Sequence, residues 1–514
     1  MLGRPVARRV GRAALHGLEN LSGVDVGATL AIVVPSFEQR QRHLARCGGR
    51  RRGGFRLRRG AGWRSARDRR RAASVGHRER CVRRRRPECL CALSGARHRR
   101  ALCGDLRFAG RRARRVPVDG ARAKLTRLAV LASHPIQYQA PLFRALAQHV
   151  DLHVFFAFRS SPQAQAAAGF GELFEWDVDL LGGYRSSFLV NVAARPSSER
   201  FLGCDTPDID RLLGAGRFDA LLVMGWNLKC YAQGVLAARR RGVPVLVRGD
   251  SHLATPRSPG KRLGKAFVYP ILLRSFDAAL YVGELSRSYY RRYRYPEHRL
   301  HFSPHCVDTD WFAARATAEE RERLRRRCGV SPNIRLVLFA GKLQALKRPL
   351  DLIEAVAALR RSGRSDIELL VAGEGEMRDA MTRCAASAGV PLHMLGFCNQ
   401  TAMPSAYAAA DCLVLPSSGE TWGLVANEAL ACGAPIIVSD ACGCAPDLAT
   451  DPCVGRVYPM GDVARLAAAI TQTFDLPRDV AAISRLSARY GVGAAAAGVV
   501  DALRSVAARR RAVS

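Results

Sequence analysis

The feature that most constrains this chain is a rhythm beginning near Leu125, where short β-branched or Leu-rich runs alternate with Ala/Leu/Arg stretches at the spacing of βαβ units. Parallel strands need a crossover of a dozen or more residues, which helices supply, so the rhythm predicts doubly wound α/β sheets. Strands are expected at residues 128–132, 152–156, 220–224, 244–247 and 278–282, and then at 336–340, 368–372, 393–395, 412–415 and 435–438. The second series restarts with Gly-rich turns of its own, at Gly341 and at Gly373-Glu374-Gly375, which implies a second sheet. The fold expected is two facing Rossmann-like domains, residues 123–315 and 316–480, with a hinge around 312–333. A final helix in 481–514 is expected to pack back toward the first domain. Ligands of such sheets sit beyond the carboxyl ends of the strands, which puts the chemistry in the cleft between them.

Residues 1–122 break this rhythm. Residues 1–120 hold 32 Arg, no Lys and 8 acidic residues, a balance of +24 out of the chain's +37. The charge that suggests a nucleic-acid protein therefore belongs mostly to this head. Its Arg clusters, Arg50–Arg52, Arg69–Arg71 and Arg83–Arg86, show no helical or strand period. One island, residues 28–39, reads as a strand running into a loop and resembles the opening strand of the GT-A nucleotide-sugar enzymes, without that class's later features. Three readings compete: a basic arm for nucleic acid or anionic lipid, a small domain, or an unstructured artefact of out-of-frame translation. The artefact is favoured, because a nucleic-acid arm would mix Lys with Arg and interleave aromatics for stacking. No nucleic-acid partner is expected.

In the body, the strongest chemical signal is the run Pro416 to Pro435. A strand ends at Leu415, a loop presents Glu420, and a helix begins near Gly423 with Glu428 upon it. Free N–H groups of Gly423, Leu424 and Val425 at that helix start, with the helix dipole, suit a diphosphate. Upstream, Gly341-Lys342 and Lys347 follow another strand and place two cations five residues apart, able to neutralise a leaving anion. Gly373-Glu374-Gly375 is a third strand-to-glycine turn, weak alone. Against the site reading stands a bland one, of a solvated helix start with two surface lysines.

In their order and spacing these segments resemble the retaining GT-B glycosyltransferases of family 4 (glycosyl transferases group 1), with its two glutamates at Glu420 and Glu428. The resemblance covers about residues 125–510 and is densest across 336–460. It implies transfer of a sugar, with retention, from a nucleotide diphosphate sugar to a glycan, lipid-linked or small-molecule acceptor, without metal or cofactor. Lys342 and Lys347 would face the departing phosphates, Glu428 the ribose, and Glu420 with residues 423–425 the sugar hydroxyls. Gly341, Gly373, Glu374, Gly375 and Phe397 would complete the donor side. His134, Gln137 and Tyr138, in the first loop, would serve the acceptor side, in place of the family's usual Gly-rich loop. The family's first-domain histidine follows a strand that here reads into Arg248-Gly249-Asp250-Ser251-His252. Aligned from the strand, Gly249 takes its place, so His252 and its rival Asp250 are both candidates. Val307 to Phe312 resembles the family's interdomain segment, and its Asp308-Thr-Asp310, like Asp177-Val-Asp179, is not read as a metal site. A sugar-nucleotide epimerase is the same-fold alternative, and a nucleic-acid-binding protein acting through the head is a different one.

No apolar run of 18 residues occurs and no signal core precedes the body, so a cytoplasmic protein is expected. The 16 cysteines are spread through apolar segments and read as reduced thiols. Arg257, Lys261, Arg262, Lys265 and Arg274, interleaved with Phe267, Tyr269, Ile271 and Leu272, are compatible either with peripheral contact at a membrane or with a solvated helix face.

Overall fold

The computed structural model describes residues 126–159, 173–253 and 258–512. The head, residue 257 and the island at 28–39 lie outside the described residues.

Two all-parallel sheets form. The first contains β1 (Arg127–Ala132), β2 (Asp151–Phe156), β3 (Arg185–Phe188), β4 (Ala220–Val223), β5 (Val245–Gly249), β6 (Ala278–Tyr281) and β7 (Leu300–Phe302), in the order β3-β2-β1-β4-β5-β6-β7. The second contains β8 (Arg335–Ala340), β9 (Ile367–Ala372), β10 (Leu392–Gly396), β11 (Cys412–Leu415), β12 (Ile436–Ser439) and β13 (Gly455–Tyr458), in the order β10-β9-β8-β11-β12-β13. Their central strands are apolar apart from terminal residues such as Arg127 and Ser439, as strands covered by helices on both faces must be. Each sheet is accordingly sandwiched between two apolar clusters. The strand order reverses at the β1/β4 and β8/β11 boundaries, which opens a crevice at the carboxyl end of each sheet.

Three strands appear where none is expected: β3, β7 and β13. All three are sheet edges, with partly exposed residues such as Arg185, His301 and Arg456 in place of a continuous apolar run.

The helix Val492–Arg511 crosses to the first sheet, where Ala495, Val499, Ala502, Leu503 and Val506 join the core with β1 and β2 residues. Gly498 lets it approach: a Cβ there would lie 1.8 Å from the Phe302 carbonyl oxygen. Ser303 Oγ, donating to the Ala495 carbonyl at 2.9 Å, fixes the register. The preceding helix, Val480–Arg489, stays with the second sheet, burying Ala482 and Ile483.

Candidate functional site

A cleft of about 690 Å³ opens between the carboxyl ends of the two sheets. Its walls are the loops that follow β1, β4, β5 and β6 on one side and β8, β9, β10 and β11 on the other.

The second-sheet wall is built largely from backbone. Gly341 N donates to the Ala372 carbonyl, Leu343 N to Glu374, and Gly373 N to Gly396, so the three loops after β8, β9 and β10 are laced together. Gly373 is required there: with φ +154°, a Cβ would sit 1.9 Å from the Gly341 oxygen. After β11, the helix Leu424–Ala431 starts at Gly423, whose φ of +101° is left-handed and whose Cβ would meet Leu415 at 2.6 Å. Gly341, Gly373, Glu374, Phe397, Gly423, Leu424 and Val425 line the cleft, together with Lys342.

Lys347 and Glu420 meet in an ion pair on this wall. The Lys347 turn is held in place by Ser418, whose N–H and hydroxyl both donate to the Leu346 carbonyl. Across 73 residues of sequence, one cation and one carboxylate are thus poised on the same spot. Glu428 also lines the cleft, but it does not lie open as a solvated helix residue would. The Tyr407 hydroxyl donates to its Oε2 at 2.6 Å, and burial pushes its carboxyl up to about 7 against that hydrogen bond.

The first-sheet wall is built from side chains. Gln137 and Tyr138 line it from the loop after β1, Trp226 and Asn227 after β4, and Asp250 and His252 after β5. Arg248 is buried beneath them, donating to Ser303 Oγ at 3.2 Å and to the Pro304 carbonyl at 2.6 Å. His305, not anticipated from sequence, sits at the floor. Its Nε2 lies 3.7 Å from an Asp250 carboxylate oxygen, its ring meets Tyr138 and Trp422 at 6.2 and 5.5 Å, and its carbonyl accepts from Asn427 Nδ2. Burial lowers its pKa, with the nearby Asp250 only opposing this, so the imidazole is neutral at pH 7. Trp422 Nε1 donates to Asn427 Oδ1 at 2.8 Å, which ties this floor to the Glu428 helix.

Two expected residues do not reach the cleft wall. His134 turns to Ser133 Oγ at 3.0 Å and is half-buried, and desolvation drops its pKa to about 4. Gly375 packs on the Leu343 backbone instead. In the two Asp-x-Asp pairs, Asp308, Asp177 and Asp179 each hold a structural contact, and Asp310 is exposed. Asp308 caps the helix Thr309–Ala313, Asp177 accepts from Thr401 N, and Asp179 closes a turn through Leu181 N and Gly182 N. The Asp177 contact joins the segment 174–177 to the loop after β10, as do Asn399 Nδ2 on the Glu175 carbonyl and Phe397 against Phe174 at 4.5 Å.

Comparison with known proteins fits this geometry. The family model "Glycosyl transferases group 1" matches residues 320–488, which take in the whole second-sheet wall. The chain carries a group 1 glycosyltransferase domain on a GT-B fold. The chain is similar over 127 residues, at 36% identity, to an uncharacterized glycosyltransferase of Methanocaldococcus jannaschii, covering 24% of this chain and 32% of that one. It is 32% identical over 204 residues to a D-inositol 3-phosphate glycosyltransferase of Mycolicibacterium smegmatis, covering 38% and 44%. The chain thus spans less than half the length of these two relatives. A D-inositol 3-phosphate glycosyltransferase of Xylanimonas cellulosilytica aligns at 28% over 405 residues, 73% of this chain and 92% of that one. Among solved structures, Anabaena HepE in complex with UDP superposes with a TM-score of 0.57 at 17% identity, over 74% of this chain and all of that one. Sucrose-phosphate synthase of Thermosynechococcus elongatus gives 0.55 at 18%, over 75% and 100%. At these identities the structures establish the fold alone.

Proposed function

We propose that the protein is a retaining glycosyltransferase of family 4 that moves a sugar from a nucleoside diphosphate donor to a hydroxyl acceptor held against the first-sheet wall. The observation that carries this reading is the juxtaposition of Lys347 with Glu420 beside the Gly423 helix start, inside a cleft that both sheets line. The diphosphate would lie on the N–H groups of Leu424 and Val425, with Lys342 and Lys347 taking the charge that develops as the glycosidic C–O bond breaks. A donor entering the cleft would exchange the Lys347–Glu420 pair for two ligand contacts, phosphate on the lysine and sugar hydroxyl on the glutamate. Glu428, held by Tyr407, would accept from the ribose hydroxyls. The acceptor hydroxyl would attack from the face the diphosphate leaves, which preserves the anomeric configuration without a protein nucleophile. Asp250 and His252 would orient the sugar or acceptor; Gln137 and Tyr138 would contact the acceptor.

That the bound nucleotide in the HepE complex is UDP favours a uridine donor as the first to test. The cations that face the leaving group are side chains, so activity is expected to need no divalent ion. The reading places the enzyme in the cytoplasm. A panel of UDP-, GDP- and ADP-sugars, read by release of the nucleoside diphosphate and by NMR of the product anomer, tests it. Turnover of one donor with retention, undiminished by EDTA, is the expected outcome. Inversion, or dependence on added manganese, would overturn the mechanism.

A further inference from the structure

The helix Pro259–Leu273 is turned inside out. Its inward stripe is Lys265, Tyr269 and Leu273, exposed by 2%, 0% and 0%. Lys265 Nζ lies 4.3 Å from the Tyr269 ring centre and 3.3 Å from the Tyr289 hydroxyl, and this residue lines the cleft. The outward stripe, at the same four-residue spacing and on the opposite side of the helix, is Leu263, Phe267 and Ile271, exposed by 62%, 71% and 64%. Val268 widens it, and Gly260 and Gly264 add no side chain to obstruct it. A solvated helix hides its large apolar residues and displays its lysine; this one buries Lys265 and displays Leu263, Phe267 and Ile271.

The charge around the stripe selects what can cover it. From Ser251 to Phe276 the sequence holds five basic residues and no acidic one, and Arg262 and Arg274 are exposed at the two ends of the stripe. A second copy of the chain meeting this face about a two-fold axis would set one basic face against another, Arg262 of each copy toward Arg274 of the other. The chain's head carries +24 and is repelled for the same reason. An anionic lipid surface offers both what the stripe lacks, an apolar interior, and what the arginines lack, negative headgroups.

We infer that the helix Pro259–Leu273 docks the protein on an anionic bilayer, with Leu263, Phe267 and Ile271 inserted at the headgroup boundary. Because Lys265 on its other face lines the cleft, docking brings the first-sheet wall to within about one helix diameter, 10–12 Å, of the lipid surface. The docking rests on the helix alone and stands or falls separately from the proposed chemistry. It directs the acceptor search toward lipid-linked hydroxyls.

The test is flotation of the full chain with phosphatidylcholine vesicles, with and without about one-third phosphatidylglycerol. It compares wild type with the triple variant Leu263→Ser, Phe267→Ser, Ile271→Ser. The Arg-rich head will itself adhere to anionic vesicles, so the deciding measurement is made in about 0.5 M salt, where Debye screening acts within a few ångströms and apolar insertion persists. Wild type is expected to remain bound to the anionic vesicles and the variant to lose binding roughly tenfold or more, with an unchanged melting temperature. Equal flotation of the two at that salt overturns the inference. So does a concentration-dependent wild-type dimer that the variant abolishes, which would make a second copy the occupant. A single Phe267→Trp variant gives an independent reading: its added emission should shift blue and be quenched by brominated lipid, and an unshifted, unquenched emission counts against insertion.

Discussion

The two walls of the cleft recognise by different means. The second-sheet wall offers backbone N–H groups, glycines forced into left-handed or crowded geometry, and the Lys347–Glu420 pair. The first-sheet wall offers side chains, Tyr138, Trp226, Asp250 and His305, converging from loops far apart in sequence. A backbone cradle suits a ligand portion that never varies, such as a diphosphate. A side-chain wall can be rebuilt residue by residue, which suits an acceptor that differs between enzymes of one fold.

That division can be broken experimentally. Lys347→Ala and Glu420→Gln should have the largest effect, lowering kcat by on the order of 10- to 1,000-fold with little change in melting temperature, since both act on charge that develops at the bond being broken. Wild-type kcat in both variants would remove the centre of the proposed site.

Glu428→Gln should act more mildly, raising donor KM by about tenfold while kcat changes little, because a ribose contact is shared by ground and transition states. Only the ionised carboxylate accepts from both ribose hydroxyls, so donor affinity measured by calorimetry should weaken as pH falls through about 7, and the glutamine variant should be flat. Stability of the unliganded protein runs the other way. A carboxyl raised in the fold stabilises it below the unfolded carboxyl range, and this contribution is lost as pH rises through about 7. The glutamine variant should lack that loss.

On the opposite wall, Asp250→Asn should lower transfer to the acceptor by about tenfold yet leave nucleoside diphosphate binding within about twofold. If it impairs nucleotide binding as severely as Glu428→Gln, the two walls do not divide the labour. The smallest effect is expected from removing the head. A chain starting near Lys124 should fold and bind donor as the full chain does, since every described residue of the cleft wall lies beyond it. Failure of that chain to fold would give the head a structural role.

The same division explains what could be read before the structure. The glycine turns and the paired lysine and glutamates are local patterns, and each of them except Gly375 stands on the cleft wall. The central strands were legible because burial on both faces demands unbroken apolar runs. The edges were not: Arg185-Ser-Ser-Phe188 and Leu300-His-Phe302 carry the polar residues that half-covered strands tolerate. His305 escaped notice because its partner Asp250 lies 55 positions upstream, and Tyr407 because nothing local marks a helix tyrosine as the holder of a glutamate 21 residues on. In the helix Pro259–Leu273, composition marked basic and aromatic residues together, but Lys265 and Tyr269 point inward with the apolar Leu273, so only packing could reveal which stripe is presented.

The helix Val492–Arg511 closes the core of a sheet whose first strand begins at Arg127. During synthesis on the ribosome, β1 to β7 emerge first, at roughly 5–20 residues per second. The apolar face formed by Leu128, Val130, Leu152 and Val154 then waits for Ala495 through Val506 while the entire second sheet is being made. The nascent first domain is therefore a natural client for a chaperone over the half-minute or so that this takes. The two domains of the folded protein are joined by a helix translated after both sheets, so the first wall of the cleft is completed only after the second.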